Sequence, residues 1–459
     1  LGNKVKISVY IPCHNYARYI DESVQSVLSQ TFTDSELIII NDGSTDNSAD
    51  VIRKYGSDSR VTIVDQENKG LSVSNNIALR LSRGKYIMRL DADDYLDENA
   101  LLVLANILDS KPEVDLVYPD YYEVNPEGEV IRLVRRKKIG EDAELLDLPA
   151  HGACTMFRKQ CLLQLGGYAE RFSCQDGYDI WIRFIQRFHP YNVNIPLFYY
   201  RQHPASLTKR QDRILRTRRK IKREFVKTNL NNKVPITLGV IPVVRNSAHF
   251  RDPFQKLAGR TLLDYTLEEA AKAKLLDKIV LATDDDEVIE YAKPHPTIIP
   301  IKRPLSLSRT TARMHRVIAY VLENMQKEHG YKPEAFCTLY VNTPLRKAHH
   351  IDKAIDTMAI FGVDSVVSVE EELAFCYTHG NRGLQPIEAA REIRAEKRGI
   401  YKENGAIFLS RVDVINQGRL VGDVVGHIAM LPEESVKINS AFDLWLTENI
   451  LKGWRHREG

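Results

Sequence analysis

Short apolar stretches that end in polar, turn-forming loops and then give way to helical patterns recur along this chain. That recurrence limits its fold more than any other feature. Lys4 to Ile11 alternates apolar and polar residues as a strand does, and breaks at Pro12-Cys13-His14-Asn15-Tyr16. Ile20, Val24, Val27 and Leu28 follow at helical spacing. Leu37-Ile38-Ile39-Ile40 runs into Asn41-Asp42-Gly43-Ser44-Thr45-Asp46-Asn47-Ser48, rich in turn formers and helix caps. Val61 to Val64 leads through Asn68-Lys69-Gly70 to an amphipathic helix from Leu71 to Leu81. Strand, loop and helix in repetition predict an α/β fold, a mostly parallel Rossmann-like sheet with helices on both faces. Such sheets bind ligands at the carboxyl ends of their strands, where these loops gather.

The fourth strand carries the chemistry. Tyr86-Ile87-Met88-Arg89-Leu90 is an apolar run ending in Asp91-Ala92-Asp93-Asp94, three carboxylates within four residues. Carboxylates crowded at a strand end repel one another unless a cation sits among them. Hard oxygen ligands at this spacing suit Mg²⁺ or Mn²⁺, shared with substrate phosphates. The alternative is an acidic turn before a helix, with Asp97 and Glu98 in its first turn. On the cation reading, a diphosphate lies over the metal at Asp93 while Asp42 accepts from a base or sugar hydroxyl.

Taken together, I-P-C-H-N-Y-A-R-Y-I, N-D-G-S-T-D-N-S, N-K-G-L-S-V-S-N-N and L-D-A-D-D resemble the inverting family-2 glycosyltransferases of GT-A fold. The resemblance covers roughly the first half of the chain and implies a nucleotide-diphosphate-sugar donor, with UDP favoured. It places nucleotide-sugar contacts on Pro12, His14, Asp42 and Lys69, and the metal motif on Asp91 and Asp93. It also implies a carboxylate base that takes the acceptor hydroxyl's proton during in-line attack. In Ser173-Cys174-Gln175-Asp176-Gly177-Tyr178-Asp179 that base is Asp176, with helix capping as its bland alternative, while Asp179 caps or forms a salt bridge. His203, in Tyr200-Arg201-Gln202-His203, matches a late histidine that helps hold the metal or the leaving diphosphate. The acceptor stays open among glycan, lipid-linked and protein classes.

This pattern is spent near residue 205. From Ser206 to Lys233 eleven Lys or Arg face two acids, a local charge of +9 in a chain of net charge +3. Such a run reads first as a solvated helix face or linker, and second as a contact with an anionic membrane surface. With only Phe225 interleaved among the charges, nucleic acid is the less favoured reading and no such partner is expected. A second α/β pattern then begins at Val234: a strand over 236–244, a helix over 262–273, and Lys278-Ile279-Val280-Leu281-Ala282 ending in Thr283-Asp284-Asp285-Asp286. The expected organisation is therefore 1–205, a basic helical linker over 206–233, and 234–459.

The second half resembles cytidylyltransferases that activate acidic sugars, through I-P-V-V-R, L-A-G-R-T-L-L-D-Y-T, K-I-V-L-A-T-D-D, N-T-P-L-R, D-S-V-V-S-V and E-N-G-A-I-F. Its phosphate loop should be glycine-rich so that backbone amides can approach a triphosphate. Here residues 245–256 contain no glycine. Arg245, Arg251, Lys256 and Arg346 are the candidate phosphate contacts. The family's late metal aspartates fall on Lys437 and Asn439, so the expectation is a degenerate domain kept for binding, self-association or acceptor recognition.

Six scattered cysteines without a C-x-x-C pair argue for free thiols in a reducing compartment and against zinc. No apolar run reaches membrane-spanning length. The expected setting is cytoplasmic, with peripheral contact at the inner face of the membrane as the basic run's alternative. Three functions follow: a metal-dependent glycosyltransferase with an inactive second domain, a bifunctional transferase and CMP-sugar synthetase, and a non-catalytic scaffold. The intact Asp42, Asp91, Asp93 and Asp176 set places the first ahead.

Overall fold

The computed structural model describes residues 5–136, 152–172, 174–203, 211–245, 252–308, 313–372, 376–380, 383–387 and 400–453. The chain forms two compact units, 1–218 with 374–398 and 219–373 with 399–459. Each is an α/β body with its own sheet.

The first unit begins β1 (Ile7–Cys13), α1 (Ile20–Leu28), β2 (Ser35–Asp42), α2 (Ser48–Arg53), β3 (Val61–Gln66), α3 (Leu71–Leu81) and β4 (Tyr86–Arg89). It continues β5 (Tyr95–Leu96), α4 (Ala100–Ser110), β6 (Leu116–Val124), β7 (Val130–Val134), β8 (Met156–Arg158), α5 (Lys159–Gln164), α6 (Asp176–Phe184) and β9 (Pro190–Arg201). The strand order is β3-β2-β1-β4-β8-β6-β9-β5, with β7 paired to β6. From β3 to β4 the strands are parallel, so their loops leave at one end. Leu37 to Ile40 of β2 is buried throughout, as an interior parallel strand requires. Ile7, Val9 and Ile11 enter one apolar core with α1 and α4. Tyr10 enters the other with Ile38, Ile40 and Leu79. Each fully buried aliphatic side chain contributes about 1.5–3 kcal/mol, which fixes the sheet between its helices. The acidic-turn alternative meets a different local structure: Tyr95–Leu96 is a short strand on β9, and α4 starts only at Ala100.

The expected linker contains α7 (Gln211–Asn229), and the division between the units falls inside this helix. Its charges are not simply solvated. Arg218 donates to Gln175 and lies over the Tyr178 ring. Lys222 is buried with its ammonium on Thr357 Oγ1, and Arg223 pairs with Asp356 at 3.0 Å. A basic run can thus be consumed by packing, because long aliphatic stems cover apolar surface while their heads find partners. The remainder of the run, residues 206–210, lies outside the described residues.

The second part of the chain contains β10 (Thr237–Pro242), β11 (Lys256–Leu257), β12 (Arg260–Thr261), α8 (Leu262–Lys272), β13 (Lys278–Thr283), α9 (Asp286–Ala292), β14 (Ile298–Lys302), α10 (Met314–His329) and β15 (Ala335–Thr338). Then come α11 (Ala348–Phe361), β16 (Ser365–Glu372), β17 (Tyr377–Gly380), β18 (Gly383–Pro386), β19 (Ile400–Arg411), α12 (Val412–Asn416), β20 (Val425–Ala429) and α13 (Ala441–Leu451). The second unit's sheet runs β14-β13-β10-β15-β19-β16-β20. Strands β14, β13, β10 and β15 are parallel, and β19 is antiparallel to its neighbours β15 and β16. Thr261 and Ser440 cap α8 and α13 through capping boxes with Asp264 and Asp443.

Candidate functional site

The loops after β1 and β2 are built as one cradle. Asn15, at φ 63°, accepts the Thr45 amide at 2.7 Å, and its own amide donates to Ser44 Oγ at 3.1 Å. His14 donates through Nδ1 to the Asp42 carbonyl at 2.9 Å, which leaves Nε2 as the acceptor facing Asn68 Nδ2 at 3.2 Å. The buried Asp42 carboxylate accepts from the Lys69 and Gly70 amides at 2.8 and 2.9 Å and from Gln66 at 2.6 Å. Three of its about four lone-pair positions are therefore used by the protein. Asp42 pins the loop that starts α3, while the Lys69 side chain is exposed and Pro12 is half-buried at the end of β1. Gly43 is required here: at φ 67°, a Cβ would lie 2.5 Å from the Asn68 amide nitrogen.

The acidic loop after β4 separates its carboxylates by task. Asp91 faces Arg89, Nε to Oδ1 at 2.8 Å, and Asp93 Oδ2 meets His203 Nε2 at 2.9 Å. Burial, with repulsion from Asp93 and Asp176, pushes the Asp91 carboxyl up to about 6 despite Arg89. Asp94 is fully buried and is raised well above the usual range by burial and by Asp93 and Asp91. It accepts the Arg201 amide at 2.9 Å, while its Oδ2 has no hydrogen-bond partner. Even with Arg89 present the loop is short of positive charge, and its oxygen and imidazole donors fit Mn²⁺ or Mg²⁺. The structure brings Asp93 and His203 into direct contact. It does not gather Asp91, Asp93 and His203 into one trio of donors within 4.8 Å, because Asp91 is drawn aside by Arg89.

Arg201 explains why His203 stands beside Asp93. Its Nε donates to the Asp93 carbonyl at 2.9 Å, Nη1 to the Pro126 carbonyl at 2.9 Å, and Nη2 to Glu22. The Tyr19 and Tyr95 rings flank the guanidinium. The His203 ring itself meets the Tyr16 and Tyr19 rings.

Asp176 opens α6 after Gln175, which is left-handed at φ 63°. Its Oδ2 accepts from Arg89 Nη1 at 2.6 Å and from Asn75 Nδ2 at 2.9 Å, and the residue is 7% exposed. Asp179 is committed to Arg183 on the next turn, at 2.5 Å. Beside Asp176 lies a small open pocket, walled by Arg89, Tyr168, Phe157 and Trp181. A carboxylate lining a pocket and joined through Arg89 to the acidic loop after β4 has the placement a general base needs. Sequence motifs do not single out Arg89, Asn75 or Arg201. A single cation inside the otherwise apolar run 86–90 is a readable signal for Arg89; Asn75 lies within the N-K-G-L-S-V-S-N-N motif, which does not name its partner.

In the second unit the candidate phosphate contacts that are described have separate surroundings. Arg346 is a correction: it is 1% exposed, and its Nη1 donates to the Tyr340 and Ala406 carbonyls and to Thr343, so it braces the fold instead of meeting solvent phosphate. Arg245 is turned onto Asp285 and Glu287. Lys256 is exposed on β11, and Arg251 lies outside the described residues. Lys437 stands over Tyr340 near Gly405, and Asn439 accepts from Asn342 at 3.3 Å. His349, His350 and Glu434 do approach within 4.8 Å. His350 Nδ1 accepts the Lys347 amide at 3.1 Å, so its proton sits on Nε2 and faces Glu434 at 3.3 Å. That tautomer offers no lone pair to a metal, and burial holds both imidazoles below their ordinary range.

Comparison with known proteins finds two family matches over separate segments of the chain. Residues 8–166 match the family Glycosyl transferase family 2, and residues 252–447 match the family Cytidylyltransferase. The chain therefore carries one domain of each family. Chondroitin synthase of Pasteurella multocida is 44% identical over 127 residues, 27% of this chain and 13% of that protein. Chondroitin synthase of Escherichia coli is 32% identical over 178 residues, 39% of this chain and 26% of that protein. The chain thus spans about a quarter or less of the length of these curated relatives. The crystal structure of S. aureus TarS 1-349 is similar at a TM-score of 0.41 and 19% identity, covering 48% of this chain and 65% of that one. Among the described residues no helix is long and apolar enough to cross a membrane.

Proposed function

We propose that the first domain is a divalent-metal-dependent, inverting glycosyltransferase that draws on a nucleotide-diphosphate sugar and extends a glycan in surface polysaccharide assembly. The observation that carries this reading is the convergence, at the carboxyl ends of β1, β2 and β4, of a loop cradle, the Asp93–His203 pair and the Arg89-bound Asp176. The names of the two synthases support a polysaccharide product, and a UDP-linked donor is favoured. Asp93 and His203 would hold Mn²⁺ or Mg²⁺, with Asp91 beside them, and the ion supplies neutralisation of the leaving diphosphate. The cradle of His14, Asp42 and the Lys69 loop holds the nucleotide. Asp176 takes the acceptor hydroxyl's proton as that oxygen attacks the anomeric carbon from the face opposite the diphosphate.

The second domain is proposed to be retained without nucleotidyl transfer, within the organisation 1–205, 206–233 and 234–459. Arg346 is spent on carbonyls, Arg245 on carboxylates, and Lys437 and Asn439 stand where metal carboxylates are expected. Self-association through this domain, a cytoplasmic setting and contact of the basic run with an anionic membrane belong to the same proposal. The burial of Lys222 and the pairing of Arg223 reduce the charge available for the membrane contact. The test is a donor panel. UDP-, GDP- and CMP-sugars are assayed for Mn²⁺-dependent hydrolysis, and CTP with acidic sugars for pyrophosphate release. Hydrolysis of one donor with no pyrophosphate is expected. Robust pyrophosphate release would make the chain bifunctional, and silence in both would leave a scaffold.

A further inference from the structure

Among the described residues, Arg89 is the group that touches both halves of the proposed chemistry. Its guanidinium reaches Asp91 on the donor-side loop at 2.8 Å and Asp176 on the acceptor side at 2.6 Å. It is a planar fork that stays charged, and it is 9% exposed at the end of β4. Nη1 makes the hydrogen bond to Asp176, while the approach to Asp91 is an ion pair with a longer hydrogen bond from Nη2 at 3.4 Å; a lysine offers one point charge on a shorter reach.

The room for this fork is made by Gly152. A Cβ at that position would lie 2.0 Å from Arg89 Nη2 and 2.7 Å from Cζ. The segment carrying Gly152 has little freedom to withdraw, because the Cys154 amide donates to the Arg89 carbonyl at 2.8 Å and Ala153 and Cys154 are fully buried. Yielding to that Cβ would shift the guanidinium against its contacts with Asp91 and Asp176. Gly152 keeps an ordinary negative φ, so its lack of a side chain serves space and not backbone conformation.

We infer that Arg89, seated by Gly152, is a positioning residue that sets the general base against the donor loop. This rests on the transferase reading above. When the fork is displaced, Asp176 keeps Asn75 but loses its tie to the loop that holds the donor. A misplacement of about 1 Å between reacting groups costs roughly a hundredfold in rate while leaving ground-state binding largely intact.

The test is a double-mutant cycle of Gly152→Ala and Arg89→Lys in the full chain, read as kcat and donor KM with Mn²⁺, with folding checked by thermal unfolding. Each single variant should lower kcat by about a hundredfold with donor KM within about threefold of wild type. Adding Gly152→Ala to Arg89→Lys should cost less than about threefold more, since no guanidinium remains to displace. Full turnover by folded Gly152→Ala, or two losses that simply multiply, would overturn the inference while the transferase reading stands. A wild type that turns over no nucleotide sugar would remove the reading and the inference with it.

Discussion

Replacing Asp176 by Asn tests the base assignment most directly, because the structure limits what else the change can do. Asp176 Oδ2 accepts from Arg89 at 2.6 Å and Asn75 at 2.9 Å. An asparagine can still present an oxygen to both donors, so the side chain keeps its place and loses its charge and basicity. Removing a general base slows transfer by about 10²–10⁴-fold, or about 2.7–5.4 kcal/mol of transition-state stabilisation at about 1.36 kcal/mol per decade. The stability cost is smaller. A charge-assisted hydrogen bond contributes about 1.5–3 kcal/mol, and Arg89 keeps Asp91 as a partner, so about 1–2 kcal/mol is expected. For a unit of this size that lowers Tm by roughly 2–8 °C. The assay pairs steady-state transfer with calorimetric donor binding in Mn²⁺, and donor affinity should stay within about threefold. Transfer within about threefold of wild type by a folded Asp176→Asn protein would refute the assignment. The base would then have to be another carboxylate, with Asp179, bound to Arg183 at 2.5 Å, the next candidate.

Three further outcomes are expected. Asp93→Ala should abolish Mn²⁺-dependent donor binding, since Asp93 is the carboxylate that meets His203; calorimetric affinity equal to wild type in Mn²⁺ would contradict it. Gly43→Ala should destabilise the first unit by about 1–3 kcal/mol, from strain at φ 67° and a Cβ 2.5 Å from the Asn68 nitrogen, and weaken nucleotide affinity; urea titration and UDP binding check both. Asp356 beside Arg223 is pushed up to about 6 by burial, above the unfolded carboxylate value of about 3.9, so its contribution is full below about pH 4 and is lost as pH rises through 6. Asp356→Asn should therefore flatten the stability change between about pH 4 and 6 in denaturant titrations, and an unaltered slope would count against the shift.

Both sheets, their parallel strands and the polar loops that follow them were legible in the sequence. Apolar runs bounded by turn formers allow few other folds, and an acid cluster at a strand end has few stable explanations. The motif residues His14, Asp42, Asp91, Asp93, Asp176 and His203 were legible for the same local reason. Their relations were not. That Asp91 belongs to Arg89 while Asp93 belongs to His203 depends on where β9 returns, 110 positions along the chain from Asp93 to His203. That Asn75 reaches Asp176 depends on α3 and α6 lying together across the sheet. Arg346 carries the same charge as any phosphate-binding arginine, and only its enclosure by the Tyr340 and Ala406 carbonyls makes it structural. Local sequence sets which groups are available and where a strand must end. Which carboxylate an arginine neutralises, and which cation is hidden from solvent, is set by contacts between distant segments, and only the tertiary structure makes those.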